Sequence, residues 1–381
     1  WTYNNEEFSD LELEEVTLKN WIFVGHISDI PNPGDYLAFD LASERALVVR
    51  DKDNKISAFH NVCRHRASRL VCDQQGNCGK ALVCPFHGWT YHLDGRLKQI
   101  PRPETFPSLD ATQLGLAQIE LEIWHGLIFI RFNGEGPTVA ERFSGAEAEI
   151  ALYKISDMQP YDEPWRYDFD LDWKSVSDID NEGYHLPIGH PELYDLLGRS
   201  YRDEQHSSGL SRTSGSFANR KFKSEKNQAY VDALPEESYL PESHRSLWTY
   251  WGMFPGFVIT LFPDQIEVYQ IFSVGYHKSA MAGRCYALND QRKTMTAARK
   301  FNREINNGVG EEDINLVHWS AEGMRSSSFQ GVVLGDLECL VVSFQDHIRK
   351  LLPVVTLDKA PVAGSLRAIN DQLLASATPR D

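Results

Sequence analysis

Two short pairs of cysteine and histidine constrain this chain more than any other feature. The stretch 61–95, NVCRHRASRLVCDQQGNCGKALVCPFHGWTYHLDG, contains Cys63-x-His65 and then Cys84-x-x-His87. Each pair brings one thiolate and one imidazole close enough to reach a common site. A chain of 381 residues can build a core without disulfide bonds, so the four side chains indicate a metal centre.

The surrounding sequence predicts that both pairs lie on loops between strands. The segments 45–50 (RALVVR) and 55–60 (KISAFH) have strand character, and Asp94-Gly95 suits a tight hairpin turn after the second pair. A structural zinc would take two cysteines and two histidines in a closed tetrahedron. A Rieske [2Fe-2S] cluster places both cysteines on one iron and both histidines on the other. The mixed pairs favour the cluster, because zinc fingers normally separate a cysteine pair from a histidine pair.

Two further cysteines, Cys72 and Cys78, lie between the pairs. They could form a disulfide that shields the cluster or remain free thiols, and we expect free thiols because their positions do not match such a disulfide.

A second group of metal-binding residue types follows downstream. After a buried strand in 119–133 the segment GEGPT interrupts the pattern, and 165–173 (WRYDFDLDW) alternates like a half-buried strand. We predict a helix that carries Asp178, Glu182 and His185 on one face and ends at Pro187. Any one of these residues alone could be an ordinary side chain on the exposed face of a helix.

The combined spacing Glu182-x-x-His185-x-x-x-x-His190 is harder to explain as a set of ordinary exposed side chains. It places two imidazoles on the same side, which suits a metal that needs two neutral nitrogen ligands.

Together these motifs resemble the Rieske non-heme iron oxygenases, in particular the terminal alpha subunits of the aromatic-ring-hydroxylating family, near the members that act on carnitine or betaine. Ala67 stands where that family usually has glycine, and Glu182 stands where some relatives acting on quaternary amines also have glutamate. The matching motifs are Cys63-x-His65-Arg66, Cys84-Pro85-x-His87-Gly88-Trp89 and Glu182-x-x-His185-x-x-x-x-His190.

The resemblance implies an α+β fold class, with an all-β Rieske domain followed by a helix-grip (START-like) α+β catalytic domain. The expected boundaries are a lead-in at 1–18, the Rieske domain at 19–135 and the catalytic domain at 136–381. The polar, serine-rich sequence after the iron histidines predicts a lid insertion at about 196–245.

The resemblance also implies two cofactors. Cys63, His65, Cys84 and His87 would hold the [2Fe-2S] cluster. A mononuclear Fe(II) would take His185, His190 and a downstream aspartate near a helix start, for which we choose Asp313 over Glu311 and Glu312.

Acids near the iron have expected roles as well. Asp178 or Asp180 would orient the histidine rings. By resemblance, Glu182 would bridge a histidine on each side, between neighbouring chains of a head-to-tail homotrimer.

The function implied is that of a terminal oxygenase, which uses O2 to hydroxylate or oxidatively demethylate an aromatic compound or a quaternary amine. Because no G-x-G-x-x-G follows a predicted strand, a separate NAD(P)H-dependent reductase or ferredoxin should supply electrons. The alternative is an electron carrier or sensor with a ligand-binding domain that does not catalyse. A cationic substrate should meet a carboxylate in the pocket, whereas an aromatic acid should meet Arg or Lys.

Charge and hydropathy bear on partners and location. The net charge of −16, without a basic block, argues against nucleic acid and anionic membranes as partners. No run of eighteen apolar residues and no basic-then-apolar leader is present in the sequence, so we expect a soluble, cytoplasmic protein.

Two further predictions concern the C-terminal half. Aromatic residues in 246–272 could line a pocket, although most should be core. Separate helices are expected at 294–307, 311–324 and 337–352. The aromatic residues are Trp248, Tyr250, Trp251, Phe254 and Phe257.

Overall fold

The structure is a computed structural model that describes residues 1–206, 209–218 and 220–377. It divides into two compact units. The smaller unit is Leu18–Val139, and the larger unit combines Trp1–Thr17 with the chain from Ala140 onward.

The smaller unit is built from short antiparallel strands. A seven-stranded sheet has the order β1-β10-β9-β4-β3-β2-β5, and β6-β7-β8 form a second, three-stranded sheet. Its strands are β1 Ile22–His26, β2 Asp35–Leu41, β3 Glu44–Arg50, β4 Ile56–His60, β5 Gln75–Asn77, β6 Leu82–Val83, β7 Thr90–Tyr91, β8 Leu97–Gln99, β9 Gln118–Trp124 and β10 Leu127–Arg131.

The strands and the turn predicted from the sequence are present in this unit. Residues of 45–50 lie in β3 and residues of 55–60 in β4, and these two strands pair antiparallel. The Asp94-Gly95 turn joins β7 to β8, with the His92 N–H donating to the Arg96 carbonyl at 2.8 Å. Gly95 has a φ of +85°, which suits glycine at this position.

The larger unit places helices against a second antiparallel sheet. The strand order is β11-β18-β17-β16-β15-β14-β13, with β12 also paired to β18. Its strands are β11 Gln159–Pro160, β12 Trp165–Phe169, β13 Arg202–Gln205, β14 Leu210–Ser216, β15 Leu247–Met253, β16 Phe257–Leu261, β17 Ile266–Gly275 and β18 Lys278–Ala287. Its helices are α1 Glu6–Glu12, α2 Val139–Arg142, α3 Glu147–Ile150, α4 Trp173–Asp180, α5 Leu186–Gly189, α6 Pro191–Leu197, α7 Glu225–Ala233, α8 Lys293–Met324, α9 Cys339–Leu351 and α10 Leu366–Ala377.

The N-terminal lead-in forms part of the larger unit. Phe8 and Leu11 of α1 are buried in one core cluster with Trp173. The Lys174 ammonium lies 2.7 Å from the Glu12 carboxylate, and both side chains are buried. Apolar burial and this buried ion pair therefore hold residues 1–17 against the helices that follow the first strands of the unit.

The segment 196–245, predicted to be a polar lid, contains regular secondary structure. Strands β13 and β14 form one edge of the large sheet, and α7 carries the fully buried Tyr230. The polar side chains of β14 find partners there, since Arg212 pairs with the Glu149 carboxylate at 2.9 Å. Ser207, Ser208 and Asn219 of the predicted lid lie outside the described residues.

Helix α8 is longer than the sequence predicted. The two helices expected at 294–307 and 311–324 are one helix of 32 residues, and it runs through Gly308 and Gly310. A Cβ at either glycine would meet no neighbouring atom within 4 Å. Glycine has a low helix propensity, so the two glycines weaken the helix locally. The helix nevertheless continues, because the packing of its apolar side chains against the sheet stabilises it.

The helix predicted around the first iron histidine is also different. Helix α4 ends at Asp180, and α5 begins at Leu186 with Pro187 in its first turn rather than as a terminator. Asp178, Glu182 and His185 therefore do not share one helical face. None of the described helices combines the length and apolar character that a membrane crossing requires.

Candidate metal centres and substrate cavity

The two Cys/His pairs of the smaller unit lie on loops of the same design. In the first loop the Cys63 N–H donates to the Ser68 carbonyl at 2.8 Å, and in the second the Cys84 N–H donates to the Trp89 carbonyl at 2.8 Å. In each loop the fourth residue after the cysteine then donates its N–H to the cysteine carbonyl at 3.0 Å. The first loop follows β4, and the second joins β6 to β7, which pair as a hairpin.

The fourth residue of each loop has a left-handed backbone. Gly88 has a φ of +72° and Ala67 a φ of +58°. Glycine adopts this conformation without strain, which explains why it is the usual residue at the position of Ala67 in the family that the sequence resembles.

The two cysteines are buried, whereas His65 is half-buried and His87 is exposed. Cys63 and Cys84 are each 2% exposed, whereas His87 is exposed. The His65 and His87 rings lie with their centroids 4.6 Å apart. Burial raises the pKa of the Cys63 thiol, but a hydrogen bond from the Tyr91 hydroxyl, 3.2 Å away, works against this shift.

These four side chains suit a Rieske cluster. Nδ1 of His65 is buried and has no hydrogen-bond partner among the described residues. A buried nitrogen without a partner is expected where a metal ion would bind to it. The His65 ring stacks on Trp89 with a centroid distance of 4.8 Å, which fixes its orientation. Cys72 and Cys78 are free, as predicted, with Cys72 exposed.

In the larger unit three side-chain atoms that could bind a metal lie close together. Nε2 of His190 lies 2.9 Å from both Nε2 of His185 and Oδ1 of Asp313, and Nε2 of His185 lies 3.6 Å from the same oxygen. Two ligand bonds of about 2.1 Å at a right angle would leave their atoms roughly 3 Å apart. Two histidines and one carboxylate on one face are the ligands of non-heme Fe(II) oxygenases, with the opposite positions open.

Asp313 reaches this point from the middle of α8 and not from a helix start, where we expected it. The two acids that precede Asp313 do not reach this point. Glu311 is exposed, and Glu312 accepts a hydrogen bond from Nδ1 of His190 at 2.8 Å. Nδ1 of His185 is bonded in the same way to the Glu182 carboxylate. With a carboxylate at each Nδ1, both Nε2 lone pairs point at the common site.

The charge balance of the site favours a cation. Burial opposes the charged form of His185, but the carboxylates of Asp313 and Glu182 outweigh it and raise its pKa to about 9. Burial likewise opposes ionisation of Asp313, yet the two imidazoles hold its pKa below its usual range. A divalent metal would replace the protons that this arrangement otherwise attracts.

Asp178 and Asp180 do not contact the histidine rings, contrary to expectation. The Asp178 carboxylate accepts hydrogen bonds from the Tyr3 hydroxyl at 2.5 Å and from the Gln345 amide at 2.9 Å. Asp180 accepts one from the Tyr269 hydroxyl at 2.8 Å. Instead, Glu182 and Glu312 accept the hydrogen bonds that orient the two histidine rings. Sequence spacing alone gave no signal for this role of Glu312.

A cavity of about 420 Å³ adjoins the metal-binding face. The inner face of the large sheet forms one wall and α8 the other, so the helix is gripped by the sheet as the predicted fold requires. Of the five aromatic residues that could line a pocket, Tyr250 lines this cavity and the other four are buried, in agreement with the prediction that most belong to the core. Trp248 packs instead with Tyr230 and Phe262.

Comparisons with known proteins agree with these two centres. The family described as ring hydroxylating alpha subunit (catalytic domain) matches residues 158–353, and the Rieske [2Fe-2S] domain family matches residues 20–113. These domains bind a mononuclear iron and a [2Fe-2S] cluster, respectively.

Curated relatives include oxygenase subunits of different specificity. The glycine betaine monooxygenase oxygenase subunit of Pseudomonas aeruginosa is 32% identical over 195 residues, which is 51% of this chain and 45% of that protein. The carnitine monooxygenase oxygenase subunit of Escherichia coli is 29% identical over 51% of this chain and 52% of its own length. The matched part thus spans about half the length of these relatives.

Solved structures share the fold over nearly the whole chain. A quaternary ammonium Rieske monooxygenase superposes with a TM-score of 0.77 at 22% identity, covering 92% of this chain and 93% of that chain. Naphthalene 1,2-dioxygenase from Rhodococcus sp. superposes with a TM-score of 0.74 at 20% identity, covering 92% of this chain and 93% of that chain. The chain belongs to the ring-hydroxylating alpha subunit family, with a Rieske [2Fe-2S] domain and a mononuclear-iron catalytic domain.

Proposed function

We propose that this chain is a terminal oxygenase component, which uses O2 and electrons from a separate NAD(P)H-dependent reductase or ferredoxin to hydroxylate or oxidatively demethylate a small organic substrate. The convergence of His185, His190 and Asp313 beside a cavity supports the proposal most directly. An electron carrier or sensor would have no use for a three-ligand face that leaves coordination positions open. The free, exposed Cys72 favours a reducing compartment, and we propose the cytoplasm.

When bound, the cluster supplies single electrons and the Fe(II) supplies the site at which O2 is activated. The chain's own residues prepare that site. Glu182 and Glu312 hold the Nδ1 protons of the two histidines, so that both Nε2 atoms remain free to bind metal. The apolar and aromatic walls of the cavity restrict water around the substrate.

We further propose that a homotrimer completes the site, with Glu182 linking His185 to His65 or His87 of a neighbouring chain. Large apolar side chains are exposed beside both centres. Tyr184 is 63% exposed and Ile188 is 89% exposed beside the iron histidines, and Phe86 is 54% exposed beside His87. Contact between copies of the chain would cover them.

The bridging role is tested by the Glu182→Gln variant. Glutamine can still accept the hydrogen bond from Nδ1 of His185, so we expect both metal centres to remain filled. It lacks the negative charge that favours proton and electron movement between the histidines, so turnover with supplied electrons should fall by at least about a hundredfold, about 2.7 kcal/mol in barrier.

Metal content and the cluster's visible spectrum are measured on the same preparation as turnover. The Glu242→Gln variant, which removes an exposed carboxylate of the same unit, controls for loss of charge. Turnover at the level of the wild type in Glu182→Gln would contradict the bridging role.

A further inference from the structure

One end of the cavity presents a hydrogen-bond acceptor that no donor in the described part of the chain satisfies. Gln265 is 3% exposed and lines the cavity, and its Oε1 has no partner among the described residues. Its amide group instead donates to Oδ1 of Asn302 at 3.0 Å. An unsatisfied acceptor at this depth is unfavourable unless a ligand supplies positive charge or a donor.

Glu267 lies two residues further along the chain and lines the same cavity. The Trp165 indole N–H donates to its Oε1 at 2.7 Å. Within residues 1–206, 209–218 and 220–377 no cationic side chain forms an ion pair with it. The guanidinium that lines the cavity, that of Arg303, is paired with Asp162 instead.

The Glu267 carboxylate therefore has no positively charged side chain paired with it among the described residues. Burial raises the pKa of Glu267 to about 7, and the hydrogen bond from Trp165 opposes that shift. A cation placed beside it would favour the ionised form, whereas an anionic substrate would be repelled by it.

The tryptophan that donates to this carboxylate belongs to a group of aromatic rings. The Trp165 ring lies 5.6 Å from that of Tyr167 and 6.1 Å from that of Tyr269, centroid to centroid. Rings of this kind attract cations through their faces, most strongly where water is excluded. An aromatic substrate could also stack here, but it would leave the charge of Glu267 unpaired.

This acceptor-rich end is separated from the metal-binding face. On α8, Asn302 precedes the ligand Asp313 by eleven residues, which is about 16 Å along the helix axis. On β17, Glu267 and Tyr269 share a face and lie about 7 Å apart, and it is the Tyr269 hydroxyl that reaches Asp180 near the histidines.

We propose that Glu267, with Trp165 and Gln265, binds an organic ammonium group of the substrate at the end of the cavity remote from the metal, so that the C–H bond that reacts lies several bonds from the charge. This inference rests on the proposed function for the reaction, and it assigns the substrate to the cationic class. Glu267 is then a residue that determines specificity.

The test measures binding of two probes of equal shape to the metal-loaded protein by calorimetry. Choline carries a quaternary ammonium, and 3,3-dimethylbutan-1-ol replaces that nitrogen with carbon. The wild type should bind choline at least about tenfold more tightly than the neutral alcohol. In Glu267→Gln the two affinities should agree within about twofold, with that for the alcohol unchanged.

Two variants keep the outcome interpretable. Glu267→Asp keeps the charge and should keep a preference for choline, even if its affinity falls. Glu242→Gln, with its lost carboxylate outside the cavity, should behave like the wild type. Equal affinities of the wild type for both probes, or a preference for choline that survives in Glu267→Gln, would overturn the proposal.

Failure of this proposal can be told from failure of the proposed function. Binding is measured without turnover, and iron and sulfide are determined on the same samples. A protein that holds both metal centres but does not distinguish the probes would leave the oxygenase intact and remove the cationic substrate. A protein that lacks iron but still prefers choline would contradict the proposed oxygenase function and support the binding of a cation.

Discussion

At the scale of single residues, Ala67 shows how strongly the cluster loops dictate backbone shape. Ala67 and Gly88 occupy equivalent positions, each donating its N–H to the carbonyl of the ligand cysteine four residues earlier. Both have positive φ. A side chain in this region costs roughly 1–2 kcal/mol, so the loop around Cys63 carries strain that the loop around Cys84 avoids.

The Ala67→Gly variant should therefore be more stable. It removes that strain, while the greater freedom of glycine in the unfolded chain takes back about 0.4–1 kcal/mol. We expect a net gain of up to about 1 kcal/mol, seen as thermal bleaching of the cluster's visible absorption at a temperature a few degrees higher. The exposed Ala117 has an ordinary backbone, so Ala117→Gly should bleach no later than the wild type. Earlier bleaching of Ala67→Gly would contradict the strain.

The side chains that come together could be predicted from the sequence, but the residues that orient them could not. Motif spacing was enough to single out His185 and His190, whose ring atoms lie close to each other and to Asp313. The sequence does not distinguish Glu312 from Asp313, because adjacent acids on a helix differ in direction by their rotation about its axis, and that rotation is fixed by how α8 packs. Asp178 does not share a helical face with His185, because α4 ends at Asp180.

At the scale of elements, the sequence located strands well and helix ends poorly. Strands β3, β4 and β12 follow alternation and turn residues, which are local signals. Helix α8 and strands β13 and β14 depend on neighbouring elements instead. Glycine in α8, and glycine and serine in β14, weaken the local preference, and packing and strand pairing then decide the structure. The polar segment predicted to be a lid therefore includes two strands of the large sheet.

The continuity of α8 is testable through its two central glycines. If the helix runs through them, Gly308→Ala and Gly310→Ala should each stabilise the larger unit by about 0.8–1 kcal/mol, the difference in helix propensity. Thermal unfolding followed by circular dichroism measures this. Gly364 also has open space around a Cβ but a φ of +83°, so Gly364→Ala should destabilise. Lower melting of both α8 variants would mean that the helix breaks at the glycines.

At the scale of the whole molecule, one chain carries two metal centres in two separate units. The smaller unit presents two cysteines and two histidines on twin loops, and the larger one presents two histidines and an aspartate beside a cavity. The central claim is that the first set holds a [2Fe-2S] cluster and the second a single iron with Asp313 as its carboxylate ligand.

The most direct test is the content of iron and acid-labile sulfide per chain, in the wild type and in Asp313→Ala, with the electron paramagnetic resonance spectrum of the dithionite-reduced protein. We predict about three irons and two sulfides for the wild type. The variant should retain about two irons, two sulfides and the unchanged cluster spectrum. Zinc without sulfide would contradict the cluster, and an Asp313→Ala protein that keeps its third iron would move the ligand to Glu311 or Glu312.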